Sequence, residues 1–513
     1  MKVPSLTTRK LGVASLAISS LLVIPQVQAA DWLCAGSNTW GTSSCWTSNA
    51  EPALGDDARI TVSDTSDVTV DYIGSVYAGT GHWYSDLIVN NSSTGDAIFN
   101  QFVNNELNVN LAIFGTDGKA TVNHSAGFSN ISYAILGSNY TAQSTYNLSG
   151  TAEIESAGFY VGSRGQAVMT QSGGALSVAN EFSIGHENGG NGEYNLSSGN
   201  LNVAGTEYVG YFGNGVFNQT GGTHTVNELF VGRKNVNGTY NMNGGDLNVT
   251  SSLEIGTIPG EPGSGVQNAS FVQNSGNVTL AQPDSTVTIS SSGMANAQYD
   301  LNGGNLTAGT IVNNDTFNYQ GGNLNANVDN RDQFNISGGG TRVVAGDFVS
   351  RGNTDFQHTF GTGTPGEYTI SRTASGFTSL QDATLFSIEG DATFESDSTL
   401  AINLTNDYLD MTSPFITVTG DAYVGGLLDL TGVFDSALLE NDYVLTLLTA
   451  STVYGEFDSV ILPGIDNWTW ALTYNIDNIQ LSAISSVPVP AAAWLFASGL
   501  IGLVGVSRRN QKS

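Results

Sequence analysis

Carboxylates are the main chemical resource of this sequence: 45 Asp and Glu stand against 15 Lys and Arg and 5 His in 513 residues. Two carboxylates in an ordered separation, or carboxylates beside a cation on one face, cleave glycosidic bonds by acid and base catalysis. The cations are scarce where a groove would have to form. From Tyr146 to Val343 they are Arg164, Arg233, Lys234, Arg331 and Arg342. Arg233 and Lys234 follow an LFVG segment and read either as an anion-binding spot or as a solvated turn. His82, His124, His186, His224 and His358 show no metal or triad spacing. His186-Glu187 stands after FSIG where Arg233-Lys234 stands after LFVG, as an exposed variable loop would. No GxSxG, HExxH or P-loop pattern with the right flanks is present. GGNGEY (Gly189 to Tyr194) has part of a calcium-binding nonapeptide, but it occurs once, has Glu193 where Asp is wanted, and reads as a turn. The expectation is a protein that is not an enzyme and holds no cofactor, with diffuse calcium binding at acidic loops such as Asp56-Asp57 left open.

A repeat positions these side chains. Nine segments share an aromatic or apolar start and a Gly corner: YNLSGT (Tyr146), MTQSGGALSV (Met169), YNLSSGNLNV (Tyr194), FNQTGGTHTV (Phe217), YNMNGGDLNV (Tyr240), FVQNSGNVTL (Phe271), YDLNGGNLTA (Tyr299), FNYQGGNLNA (Phe317) and FNISGGGTRV (Phe334). The first five begin 23, 25, 23 and 23 residues apart. A second signature, FYVG, FSIG, EYVG, LFVG or LEIG, ends at Gly162, Gly185, Gly210, Gly232 and Gly256. Within a unit the apolar residues pair two apart, as Tyr240 with Met242, Leu247 with Val249 and Leu253 with Ile255. Period two means strand, and three pairs mean three short strands per coil. Gly stands at the corner because positive φ is open to a residue without Cβ.

One coil cannot bury its inward pairs, whereas coils stacked about 4.8 Å apart enclose a continuous core. The expected fold is therefore all-β: a parallel β-helix of about 23 residues per coil, capped at both ends. An antiparallel sandwich would not explain a corner fixed in every repeat. After Gly256 the starts lie 31, 28, 18 and 17 residues apart, so those coils carry an insertion (IPGEPGSG, Ile258 to Gly265) or lose a side. Asn147, Asn195, Asn218, Asn241, Asn318 and Asn335 recur as second residues and are placed to hydrogen-bond from coil to coil.

Residues 1–29 have a basic start (Lys2, Arg9, Lys10), an apolar stretch from Leu11 to Ile24, then Pro25 and small residues at Val27 and Ala29. This is the layout of a cleavable secretory signal, with the cut at Ala29 and Ala30. An exported chain meets oxidising conditions, so Cys34 and Cys45 are expected to form a disulfide within an N-terminal cap at 30–75. The repeat β-helix follows at 76–345. Residues 346–485 lack the Gly-Gly corner yet keep alternating strands such as TLAINL (Thr399 to Leu404), and read as a less regular β body with a terminal cap. Between Asp31 and Ser507, 9 cations face 45 anions, a net charge of −36. So acidic a surface repels nucleic acid and anionic lipid, which excludes both as expected partners.

The C-terminal segment, 486–513, contains a mostly apolar run of 16 residues from Ala491 to Val506. As a helix they would reach about 24 Å, short of the roughly 30 Å hydrocarbon core. Arg508, Arg509 and Lys512 would hold the far end on the cytoplasmic side. Gly499, Gly502 and Gly505 give one face a smooth strip on which another membrane protein can pack. A membrane helix is expected, either kept as an anchor or recognised and removed.

Two stretches resemble the ends of secreted bacterial β-solenoids of the autotransporter-passenger kind. One is the Trp-rich WLCAGSNTWGTSSCWTSNAEPALGDDARITV (Trp32 to Val62), the other the span from Tyr443 to Ala483. The tail is more specific. Val487-Pro488-Val489-Pro490, then AAAWLFASGLIGLVG, then Arg508-Arg509 resembles a PEP-CTERM sorting signal, with Val489 where the name-giving motif has Glu. That resemblance implies processing by an exosortase, a membrane transpeptidase-like enzyme, in Gram-negative bacteria that make exopolysaccharide. The expected protein is exported to the outer surface or extracellular matrix, at least transiently anchored through 491–506, and acts in adhesion, biofilm or exopolysaccharide association. The alternatives are a polysaccharide-degrading enzyme on the same scaffold, which a paired-carboxylate groove on the coils from 146 to 345 would favour, and a self-assembling surface spacer.

Overall fold

The computed structural model describes residues 28–485 apart from 73–82, 235, 257–267, 291–295, 352–356, 361–367, 372–375, 382–383, 405–412, 433–442 and 465–467. The signal stretch before Gln28, the insertion at Ile258–Gly265, and the sorting segment with Val487, Pro488, Val489, Pro490, Arg508 and Arg509 lie outside the described residues. Among those described, no helix is long and apolar enough to cross a membrane.

The described chain is all-β. Thirty-seven strands join in one sheet, and most ladder partners are parallel and one repeat apart in sequence. Tyr146 pairs with Met169, Met169 with Tyr194, and so on through Phe217, Tyr240, Phe271, Tyr299 and Phe317 to Phe334. All nine repeat starts are thus direct Cα partners. Strand Gln166–Ile184 meets Asn191–Val209 in three stretches, 166–171, 175–178 and 181–184, with register breaks between them. Each repeat therefore supplies three short strands separated by two bends.

Period two decides what goes inside. Ala167, Met169, Gln171, Leu176, Val178, Phe182 and Ile184 of one repeat are all buried, and most of their neighbours in sequence are exposed or half-buried, Ser183 alone being covered. Because layers repeat at about 4.8 Å, an inward ring finds another ring at stacking distance. Phe217, Tyr240, Phe271, Tyr299, Phe317 and Phe334 form one face-to-face column, with successive centroids 4.5, 4.7, 4.8, 5.3 and 5.1 Å apart.

At the corners the backbone itself is crowded. Gly185 has φ +75°, and a Cβ there would lie 2.1 Å from the Asn214 carbonyl of the next layer. The inside of the Gly-Gly corner is filled by a glutamine. Gln219 Nε2 donates to Gly222 O (3.4 Å) and to Asp246 O one layer on (3.1 Å), while its Oε1 accepts the Tyr240 hydroxyl at 2.6 Å. Gln171 with Tyr194, and Gln273 with Tyr299, repeat this arrangement. His124 takes the glutamine's place in its own layer, with Nδ1 3.2 Å from the Tyr146 hydroxyl and Nε2 3.3 Å from Gly127 O. Outside, the second-position asparagines hydrogen-bond from layer to layer: Asn147 to Asn123 (2.9 Å), Asn218 to Asn195 (2.9 Å), Asn241 to Asn218 (2.8 Å) and Asn335 to Asn318 (2.9 Å).

The short repeats correct one expectation. The 18-residue step from Tyr299 to Phe317 keeps all three strands in register, so no side is lost. What disappears is the corner loop, reduced to Asp315 between strands Asn305–Asn314 and Thr316–Tyr319. Its carboxylate accepts the Ala297 N–H at 3.0 Å.

The parallel ladder already runs through residues 29–71. Ala29 and Ala30, the expected cleavage residues, open strand Ala29–Asp31 and pair with Asp57 and Ala58. Cys34 and Cys45 are joined in a disulfide, and Trp32, Trp40 and Trp46 pack edge to face beside it. Trp46 Nε1 donates to Trp40 O at 2.8 Å, so the first layer's core is closed by indoles. At the far end, strands Tyr443–Thr449, Trp468–Tyr474 and Asn478–Ser485 pair antiparallel.

Burial pushes the His124 imidazole down to about 4, against hydrogen bonds to the Gly127 and Ala126 carbonyls that favour its charged form. The unfolded chain protonates this residue near 6.5, so between pH 6.5 and about 4 it binds more protons than the folded one and folding stability falls with pH. The shift is worth roughly 3 kcal/mol. His124→Gln installs the side chain that other layers use at this corner. Urea unfolding at about pH 7 and about pH 4.5 is expected to show that the variant loses roughly 2 kcal/mol less on acidification than the parent.

Candidate functional site

Outward positions form columns as straight as the inward ones. Tyr160, Ser183, Tyr208, Phe230 and Glu254 are successive ladder partners on one face, and Gly158, Glu181, Thr206, Glu228 and Ser252 form the adjoining column. The corner after this strand adds His186, Tyr211, Phe212 and Arg233. These side chains assemble into an aromatic strip edged with carboxylates.

The strip is continuous. Tyr208 stacks on Tyr211 (4.3 Å between centroids, 24° between planes) and on Phe230 (5.4 Å, 20°). The His186 ring lies 4.4 Å from Tyr160 and 5.9 Å from Tyr211. Phe212 packs edge-on to Tyr211 at 4.5 Å and is 47% exposed; Tyr133, at the near end, is 48% exposed. Tyr133 lies over Gly158, where an added Cβ would come within 3.0 Å of its ring, so glycine keeps the floor open.

The charges are tied into the strip. Arg233 sits 4.1 Å over the Phe230 ring, and its guanidinium is 4.0 Å from Glu254. Glu181 is 3.3 Å from His186 Nδ1, and Glu228 accepts the Thr206 hydroxyl at 3.1 Å. Burial first, then Glu181 and Tyr133, pushes the Tyr160 hydroxyl up to about 12, so it remains a donor at every physiological pH. Burial also raises Tyr208, opposed by Arg233. Ring faces with hydroxyls and carboxylates at their edges match a sugar ring, which offers C–H groups on one side and hydroxyls around its rim.

This arrangement changes two of the sequence readings. Arg233 is engaged by Phe230 and Glu254 within the strip, so the Arg233-Lys234 pair is not a simple solvated turn. His186-Glu187 is not merely a variable loop: His186 is wedged between Tyr160 and Tyr211, and Glu187 pairs with Arg164 at 2.6 Å. The signal was present in FYVG, EYVG and LFVG, whose penultimate-but-one aromatic stands at outward parity. Asp57 pairs with Arg59 at 2.7 Å, and Asp56 accepts backbone N–H groups from Gln28 and Ala53, each at 3.2 Å. Gly189 to Tyr194 forms a corner and the start of strand Asn191–Val209. Among the described residues, no group of three or more His, Cys, Asp or Glu is placed to hold a metal ion.

A second cluster looks catalytic in composition but is sealed. His224 Nε2 lies 2.8 Å from Glu207 Oε2, its Nδ1 lies 3.0 Å from the Tyr240 hydroxyl, and Phe217 stacks flat on the imidazole at 4.9 Å. Both side chains are 0% exposed. Glu207 stands in the inward column between Phe182 and Leu229, and His224 in that between Leu201 and Leu247. Two adjacent layers each replace an apolar residue, and the replacements pair through His224 Nε2 and Glu207 Oε2, while Glu207 Oε1 is buried without a hydrogen-bond partner.

No known protein family matches the chain, and neither a curated protein nor a solved structure matches it.

Removing one member of the buried pair leaves the other without its partner. Glu207→Leu or His224→Leu alone is expected to cost about 3–5 kcal/mol, whereas the double substitution, which restores the residue type of the neighbouring layers, is expected to fall within about 1 kcal/mol of the parent or above it. Chemical denaturation of the three variants measures this directly.

Proposed function

We propose that the chain is an exported, non-enzymatic surface or matrix protein whose body is a parallel β-helix and whose work is association with polysaccharide. The observation that carries this reading is the aromatic strip, with exposed rings and carboxylate edges on one face of a rigid stack. In-register parallel pairing at the repeat interval supports the β-helical architecture. The indole-closed first layer and the Cys34–Cys45 disulfide fit a chain made for oxidising surroundings. The resemblance of Val487 to Ser513 to a PEP-CTERM signal supplies the route: secretion behind a cleaved signal, transient anchoring through 491–506, and processing by an exosortase-type enzyme in a Gram-negative cell. Adhesion or biofilm cohesion follows from many weak sugar contacts on a fixed scaffold.

Glu181 and Glu228 give a specific reason to keep a hydrolytic second reading. They occupy one column two layers apart, about 10 Å between Cα atoms, near the roughly 6.5–9.5 Å carboxyl separation of inverting glycosidases. Standing on one column, however, they approach a sugar from the same side instead of flanking it.

The purified full-length chain is expected to sediment with an insoluble neutral glucan, and Tyr208→Ala to weaken retention roughly three- to tenfold. Unchanged retention of the variant would remove the strip from the account, and release of new reducing ends that Glu228→Gln abolishes would favour the hydrolytic reading. For the sorting segment, mass spectrometry of the cell-derived protein is expected to find a C-terminus near Pro490 where exosortase is active and at Ser513 where it is not.

A further inference from the structure

A second exposed aromatic pair stands far from the strip in sequence. Tyr423 and Tyr454 stack at 5.0 Å and 13°, and they are 45% and 47% exposed. Their place in the ladder is informative. From Phe230 the outward column runs through Glu254, Thr288, Val312, Asp329, Val349 and Thr393 to Tyr423 and then Tyr454, each a direct partner of the one before. The pair therefore belongs to the same column as Tyr160, Tyr208 and Phe230. Seven layers separate Phe230 from Tyr423, about 34 Å along the stack.

Among the described residues, the column carries no ring between Phe230 and Tyr423. Thr288, Val312, Val349 and Thr393 are small, and Asp329 is clasped by Arg331 at 2.7 Å and Arg351 at 2.5 Å. Beside the far pair, Asp391 and Asp421 lie close enough to act electrostatically on the Tyr423 hydroxyl, and Asp391 Oδ1 accepts the Asp421 N–H at 2.8 Å. The near end thus offers Tyr208 stacked on Tyr211, with Phe230 buried beneath Arg233, the far end offers Tyr423 on Tyr454, each with carboxylates beside it, and among the described residues the column between them carries short or tethered side chains.

We propose that the two aromatic platforms are end subsites for a single linear, uncharged polysaccharide chain lying along the stack axis. The proposal rests on the glycan-binding reading above and adds the ligand's class and direction. A linear chain fits because the platforms share one column; a branched or globular ligand would gain nothing from their alignment. Neutrality follows from the net charge of −36 between Asp31 and Ser507, which repels polyuronates and sulfated glycans. Once one platform holds the chain, the second binds it at high effective concentration, provided the chain spans the interval.

The test is calorimetric titration of the full-length chain with β-1,4-linked glucose oligomers, one about 15 Å long and one longer than about 34 Å, with a polyuronate as the charged probe. The longer oligomer is expected to bind at least tenfold tighter than the shorter, and the polyuronate not at all. Tyr423→Ala/Tyr454→Ala is expected to abolish the length advantage and leave the short oligomer's affinity at the first strip unchanged. Tyr423→Phe, which keeps the ring, should retain the advantage and guard against a folding defect. Equal affinity for both lengths, or a length advantage that survives loss of both tyrosines, overturns the two-subsite proposal while sparing the glycan reading. Tighter binding of the polyuronate overturns the neutral class. Failure of every oligomer to bind overturns the glycan reading together with the proposal.

Discussion

In-register parallel pairing between consecutive repeats is the constraint on which the rest of this molecule depends. Once Tyr146 stands beside Met169 and Met169 beside Tyr194, every position in the repeat becomes a column, and each residue must be compatible with the one about 4.8 Å above and below it. Inward columns then favour flat rings, which stack at that spacing, and small apolar residues. Outward columns favour side chains that donate upward and accept downward, as the asparagines do. The corners favour residues that leave room for the next layer's carbonyl, and Gly185 shows the tolerance: one added carbon would overlap the backbone above it.

The same rule explains where the chain departs from its own pattern. A buried charge in a column of leucines is expensive unless it is paired. Glu207 and His224 offset part of that cost because neighbouring layers bring Glu207 Oε2 and His224 Nε2 within hydrogen-bonding distance, across 17 residues of sequence, and Glu207 Oε1 remains unpaired. His124 shows a milder case, since an imidazole can buttress a corner that other layers fill with glutamine, provided it stays neutral. Neither device follows from local propensity. Both follow from asking which residue occupies the same column one layer away.

Much of this was legible in the sequence. The repeat starts, the Gly corners, the three strands per unit and the asparagine ladder all follow from a 23-residue period combined with a two-residue alternation, because periodicity survives projection onto a string. The shortened repeats were misread, since a missing five-residue corner loop and a missing strand remove similar lengths of chain; only pairing distinguishes them. The aromatic strip was also missed. Tyr160, Tyr208 and Phe230 lie in segments whose two-residue alternation marks the inward member of each pair and says nothing of what an outward ring does. The strip is completed by corner residues such as His186 and Tyr211, which have no counterpart in the period and pack over that column.

Stacking also changes what a surface can recognise. On most folds, exposed residues far apart in sequence share a face only through the particular path of the chain, and their alignment is loose. Here alignment is imposed by the backbone ladder, so that Phe230 and Tyr423, nearly 200 residues apart, stand on one column as firmly as adjacent layers do. A ruler of this kind suits a ligand that is itself periodic and extended. The acidic surface narrows the choice further, because a long polyanion would be repelled along the stack, whereas an uncharged chain would meet rings, short side chains and carboxylates that can accept its hydrogen bonds. Rigidity spares the entropy of ordering a binding site, so modest contacts at separated points can add up along one bound chain.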